Sequence, residues 1–348
     1  MIIEVYPEMK KMKLFRHTAF DSAQKGSVLI MVLWVMAAMS MLALSFSVSI
    51  RTEVNAARNV VDQKESYYLA RAGVEYVIYK VIEAQTAFAR IQQRREGDLQ
   101  SVPPVLTGYI DLPLSRGGAR VQIIDETGKL NVNGAPGYLL YNLFIMVGLE
   151  EWHADMLADS IEDWRDPDDL HRLNGAESDY YQALDIPYFA KNGLFDVPEE
   201  LLLVKGVTPD IYYGRKGMTP GGEPVEYYAL QKYLTTFTTM NRINVNSAPS
   251  PVLAAIPGLD FDTAAEIQRM RQEAPIMNVS EIMEKIPGVT TEASQLLSTV
   301  RSNVYTLVSD GYLSDSELIG RIRCVVRVDA SSPKGYSVLY WNESNIEL

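Results

Sequence analysis

The sequence predicts an α+β protein: a long N-terminal helix packed on an antiparallel sheet, with a large all-helical domain inserted into that sheet. Three observations carry this. Ser27–Ile50 is a run of 24 residues without a charged side chain, and it leads directly into a polar stretch that has helical spacing and no proline before Pro103. Strand-like segments fall before residue 130 and after residue 300. Between them lies a stretch with helical signals and an internal repeat.

The apolar run is long enough to cross a bilayer as a helix, which takes about 20 residues. Lys10, Lys11, Lys13, Arg16 and Lys25 precede it. That basic excess keeps the N-terminus cytoplasmic and puts the bulk of the chain across the membrane. The helix is expected to continue over 51–96, where Val54, Val61, Tyr68, Leu69, Ala72, Tyr76, Val77 and Val81 recur at helical spacing. Gly73 within it marks a bend or a close packing contact. The Ser-Val-Pro-Pro-Val segment at 101–105 ends the helix.

Residues 118–125, 305–308, 319–328 and 335–341 alternate and are rich in β-branched and aromatic side chains, as strands are. The reading divides the chain into a basic leader at 1–26, a membrane half-helix at 27–50, an α+β body from 51–130 and 300–348, and a helical insertion at 131–299. The insertion repeats itself. Lys-Leu-Asn-Val-Asn-Gly-Ala-Pro ends at Pro136, and Arg-Ile-Asn-Val-Asn-Ser-Ala-Pro ends at Pro249. A second matching phrase follows each, at 195–207 and 276–289. Asn133 and Asn246 are expected to cap the helices that follow, with proline in the first turn. Glycines 148, 206, 258 and 288 are expected at helix ends or hairpin turns.

The chain has 348 residues, 47% of them hydrophobic, and a formal net charge of −12. Removing the basic leader makes the remainder more acidic still. Such a body repels nucleic-acid phosphates and favours divalent cations or basic partner surfaces. The single cysteine, Cys324, excludes an internal disulfide and reads as a buried strand thiol. An enzyme is not expected. His153 and His171 have no histidine or cysteine partner at metal-ligand spacing, and there is no nucleophile elbow, P-loop or dinucleotide fingerprint.

Lys25-Gly26, the apolar run from Ser27 to Met36 and the helical continuation through Tyr67-Tyr-Leu-Ala-Arg-Ala-Gly73 resemble a type IV prepilin or pseudopilin. The resemblance implies cleavage by a prepilin peptidase between Gly26 and Ser27, then methylation of the new terminus. Met31, the fifth residue after that cut, stands where major pilins carry a glutamate. This departure makes the chain similar to the K-type minor pseudopilins of type II secretion, a family with an inserted helical domain. The partners implied are the I- and J-type minor pseudopilins, the major pseudopilin and the inner-membrane secretion platform, with the body in the periplasm and no nucleic acid bound.

The densest candidate site is acidic. Glu162, Asp163, Asp166, Asp168, Asp169, Glu177, Asp179 and Asp185 fall within 24 residues. Calcium takes six to eight oxygen ligands, and closely spaced carboxylates supply them. The residues alone leave a solvated acidic loop with helix caps open as the alternative. The phrase Gly175-Ala-Glu-Ser-Asp-Tyr-Tyr181 resembles the family's acidic loop, which is associated with bound calcium. The resemblance therefore implies a calcium site, with Asp163, Asp166, Asp168, Glu177 and Asp179 as the candidate ligands. The second repeat, from Ile243 to Val289, looks like a helix-hairpin-helix module. An alternative follows from it: a minor pilin of a type IV pilus or competence system that binds DNA. The aromatic-rich segment 212–228 reads as a surface loop between the repeats, with contact to secreted substrates as its functional alternative.

Overall fold

The computed structural model describes residues 23–93, 107–218, 224–227, 229–329 and 331–343. The leader residues 1–22 and the expected helix end at 101–105 lie outside the described residues. The chain forms two compact units, Met1–Val61 and Asp62–Leu348.

Helix α1, Ala23–Gln93, runs through both units and includes Gly26 and Ser27 in its first turns. In the first unit its apolar side chains are exposed, Leu29 at 64% and Trp34 at 73%. The Ser40 hydroxyl donates to Met36 O at 2.8 Å and the Thr52 hydroxyl to Val48 O at 3.0 Å. Those hydroxyls find acceptors within the helix itself. Among the described residues this is the one helix long and apolar enough to cross a membrane.

In the second unit, the part of α1 beyond Val61 packs on a sheet. Strands β1 (Gly108–Leu114) and β2 (Gly117–Asp125) form a hairpin. The chain then leaves the sheet. It passes through β3 (Leu130–Asn131), α2 (Gly137–Met146), α3 (Glu151–Arg165), α4 (Ser178–Gln182), α5 (Pro209–Tyr213) and a hairpin of β4 (Arg215–Met218) with β5 (Pro224–Tyr227). It continues through β6 (Leu234–Thr235), β7 (Ile243–Asn244), α6 (Ser250–Ala254), α7 (Phe261–Glu273), α8 (Val279–Lys285), α9 (Thr291–Leu296) and β8 (Leu297–Ser298). It returns in β9 (Val304–Leu313), β10 (Ile319–Val328) and β11 (Tyr336–Asn342). The sheet order is β1-β2-β9-β10-β11, antiparallel throughout. The excursion thus begins and ends on neighbouring strands. Its regular structure is mostly helical, but the short pairs β3–β6 and β7–β8 and the β4–β5 hairpin mean that it is not all-helical.

The helix meets the sheet through small residues. Ala70, Val74, Val77, Ile78 and Val81 bury against Val121, Ile123, Leu307, Ile322 and Cys324. Gly311 and Gly320 face each other across β9 and β10, and a side chain on either would collide with the α1 backbone at Ser66. Gly73 is a close contact and not a bend: a Cβ there would stand 2.7 Å from Ala119 Cβ. Ser309 Oγ donates to Ala70 O at 2.7 Å in the same seam. This tight approach explains a difference from the sequence pattern. Val77 and Val81 are buried as expected, but Tyr68 is 63% exposed, because the seam admits Ser66, Ala70 and Gly73 instead.

The repeat is structural as well as verbal. Asn133 exchanges two hydrogen bonds with the backbone of Phe195, at 2.9 and 2.8 Å. Asn246 makes the same pair with Ile276, also at 2.9 and 2.8 Å. Arg165 donates to Val132 O and Ala135 O, and Arg271 to Val245 O and Ala248 O. These asparagines are therefore latches between distant backbone segments and not helix caps. Pro136 and Pro249 hold the N-cap positions, without a side-chain cap bond. Gly206 and Gly288, at matching places, take φ of +85° and +99°, which favours glycine. Tyr212, expected on a surface loop, is fully buried in the core of this insertion.

Gly311→Val should destabilise the protein by about 2–3 kcal/mol through overpacking at the helix–sheet seam. Chemical denaturation of the detergent-solubilised chain measures it. A stability within about 0.5 kcal/mol of the parent, the usual range for surface changes, would contradict the close approach.

Candidate metal centre

Setting Arg165 on Arg271 shows where the acidic segment comes from. In the second half only four residues, 272–275, separate the latching arginine from Ile276. In the first half 29 residues, 166–194, separate Arg165 from Phe195. Both closures end on the same asparagine latch. The acidic segment is thus an elaboration of a motif that closes without it, and the candidate site sits on that elaboration.

Helix α3 ends at Arg165, which delivers Asp166 and Asp168 into the loop, and Glu177 precedes α4. Asp166, Asp168 and Glu177 each bring one carboxylate oxygen within 4.8 Å of the others. Glu177 is 1% exposed, and neither of its oxygens has a hydrogen-bond partner. Asp166 Oδ1 and Asn192 Oδ1 are likewise buried and unpartnered. A buried carboxylate left so is costly unless a cation or a proton completes it. Burial, followed by repulsion from Asp163, Asp166 and Asp169, pushes the Glu177 carboxyl up to about 7. Glu177, Asp169, His171, Asp179 and Asn192 line a cleft of about 730 Å³. Oxygen donors without sulfur or nitrogen in the cluster suit a hard cation such as calcium.

Of the five candidate ligands, the structure brings Asp166, Asp168 and Glu177 together. Asp163 is fully buried and accepts from Arg172, from the backbone N at 3.2 Å and from Nη1 at 2.7 Å. Asp179 is 2.9 Å from His171 Nε2 and 74% exposed. The processing positions Gly26 and Ser27 lie in α1, in the other unit. Sequence reasoning missed Arg172 and Asn192. Arg172 was in view as the basic residue amid carboxylates. Asn192 precedes glycine, a turn signal, and takes φ +48°. Its amide donates to Asp168 O and to Asp169 Oδ1, so it ties the far arm of the loop to the near one.

Residues 125–214, which hold α2, α3 and this loop, match the family model described as type II secretion system (T2SS), protein K. The chain is similar to type II secretion system protein K over most of its length. It is 23% identical over 328 residues to the protein of Pectobacterium carotovorum, covering 85% of this chain and 90% of that one. It is 23% identical over 328 residues to the protein of Pseudomonas aeruginosa, covering 87% and 92%. The match to a putative protein K of Escherichia coli K12, 26% over 210 residues, spans 55% of this chain and 61% of that relative, less than two thirds of its length. The fold is similar to a chain in the crystal structure of the GspK-GspI-GspJ complex from the enterotoxigenic Escherichia coli type 2 secretion system. The TM-score is 0.54 and the identity 18%, over 79% of this chain and 99% of that chain.

Glu177 holds its proton more tightly folded than unfolded, where its value is near 4.5. Protonation therefore stabilises the fold at low pH, and that contribution is lost as pH rises through about 7. In chelator, the melting temperature should fall between pH 5 and 7.5 more steeply for the parent than for Glu177→Gln. Parallel pH profiles would show that the carboxyl is not buried unpaired.

Proposed function

We propose that this chain is a minor pseudopilin of the K type, a structural component and not an enzyme. It would be anchored in the bacterial inner membrane by residues 27–50, with its body in the periplasm. One observation supports this most strongly. An uncharged run directly follows Lys25-Gly26 within one helix, and that helix continues without a break into the part that packs on a sheet whose middle carries the region matching protein K. Cleavage between Gly26 and Ser27 by a prepilin peptidase belongs to this reading.

Met31 at the fifth position of the cleaved chain removes the need for a subunit above it. A glutamate there would call for a neighbour's terminal amine, because a lone charge in the apolar core of a fibre is costly. The insertion between β2 and β9 adds bulk on the body. Both features suit the tip of a pseudopilus, where the chain would start assembly with I- and J-type partners above the major pseudopilin and the secretion platform. Calcium bound by Asp166, Asp168 and Glu177 would order the acidic loop.

The DNA-binding alternative is disfavoured at its own hairpins. Asp260 accepts from Thr263 N at 2.8 Å, and Thr290 Oγ1 accepts from Ala293 N at 3.1 Å. An amide in the first turn of each following helix is thus already occupied, in one case by a carboxylate that would repel a phosphate.

Mixed with the I- and J-type pseudopilins of the same cell, the chain should elute with them as one complex in millimolar calcium. Separate elution at every calcium level contradicts the tip reading. Calcium at about 100 times its Kd should stabilise the chain by about 2.7 kcal/mol relative to chelator. An unchanged melting temperature removes the ion.

A further inference from the structure

Arg172 lies inside the acidic loop and reaches back to α3. Its Nε is 3.0 Å from Glu162 Oε2, and its Nη1 is 2.7 Å from Asp163 Oδ1 and 2.6 Å from Asp166 Oδ2. Its backbone N also donates to Asp163. One planar guanidinium therefore engages three carboxylates at once, with donors fixed on two separated nitrogens where a lysine ammonium would offer all of its donors from one point. The other oxygen of Glu162 accepts from Gly137 N at 2.8 Å and Arg165 Nη2 at 3.2 Å. Glu162 and Asp163 are thereby fully engaged within the protein.

Asp166 is the residue shared between two charges. Its Oδ2 holds Arg172, while its Oδ1 is buried and unpartnered, and one of its two oxygens lies within 4.8 Å of carboxylate oxygens of Asp168 and Glu177. The second half of the repeat sharpens the point. With Arg165 set on Arg271, Glu162 and Asp163 align with Gln268 and Arg269. The half that closes with a short connector has neither these carboxylates nor a counterpart of Arg172. The acids and the arginine belong together, and they belong to the loop.

We propose that Arg172 is a resident counter-cation of the acidic loop. It neutralises Glu162 and Asp163, aims Asp166, and lets the loop fold before a metal ion arrives. It thereby leaves the unpartnered oxygen of Asp166, with Asp168 and Glu177, for the ion. This rests on the cation reading above, with Glu177, buried and without a partner, as the independent sign of a ligand. Arg172 is a positioning residue: it need not touch the ion. Without it the divalent cation becomes the main counter-charge for Asp163, Asp166, Asp168 and Glu177, so the fold depends on the ion far more.

The test is thermal unfolding of the full detergent-solubilised chain, in EGTA and in millimolar calcium chloride, for the parent, Arg172→Met and Arg172→Lys. Arg172→Met should melt several degrees lower in EGTA and regain most of the loss in calcium, so that the calcium-induced shift roughly doubles. Arg172→Lys, with the charge but not the fork, should fall between. A methionine variant that folds only in calcium is the strong form of the same result. If it fails to fold in either, the lysine variant decides, and a calcium shift equal to the parent's overturns the proposal. An unaltered shift in Arg172→Met, beside a clear shift in the parent, overturns this inference alone. No calcium shift in the parent overturns the cation reading and this inference with it.

Discussion

The close approach of α1 to the sheet is the contact on which the folded body depends. A helix can lie this near a sheet only where side chains are small, and Gly73, Gly311 and Gly320 clear the path. That seam fixes β2, β9 and β10 under one helix face. Because β2 and β9 are neighbours, the 178 residues between Asp125 and Val304 can leave and return without disturbing the sheet. The exit is itself pinned. Glu126 is buried with Lys129 at 2.6 Å and accepts from Thr306 on β9, and Asn244 reaches Asp125 and Thr127. A buried ion pair of this kind is weak evidence for stability but fixes geometry well once its remaining lone pairs are satisfied.

Inside the insertion the same device is used twice. An asparagine side chain replaces a strand partner for one distant residue, and an arginine caps the carbonyls of the asparagine turn. Each latch joins segments far apart in sequence, so whatever lies between them is free to lengthen. The second half keeps the short form. The first half has filled the gap with carboxylates, an arginine to offset them, and a glutamate left without a partner. In that arrangement the latch closes with or without the acidic loop, while Ala176, Tyr181 and Ala190 tie the loop into the insertion's core and leave its carboxylates to serve binding.

Much of this was legible in the sequence, for physical reasons. The uncharged run could be nothing but a very apolar helix. Strands β2, β9, β10 and β11 alternate, so their period shows. The repeat was visible because its asparagines and prolines are demanded by one backbone shape. Strand β1 was missed. Its sequence, Gly-Tyr-Ile-Asp-Leu-Pro-Leu, includes a proline and sits on the sheet edge, where alternation is weak. The division of labour among the carboxylates was also out of reach. Spacing shows that acids are near one another, but it cannot show that Asp163 faces an arginine while Glu177 faces none.

The pseudopilin reading of the helix, the fibre and the tip position all follow from the junction at Gly26 and Ser27. The most direct measurement is the intact mass and N-terminal sequence of the chain recovered from its native membrane, with and without the prepilin peptidase. A pseudopilin starts at Ser27, and only where the peptidase is present. A chain left uncut there, or one cut beyond residue 40, would contradict that reading and make residues 27–50 an ordinary anchor or signal.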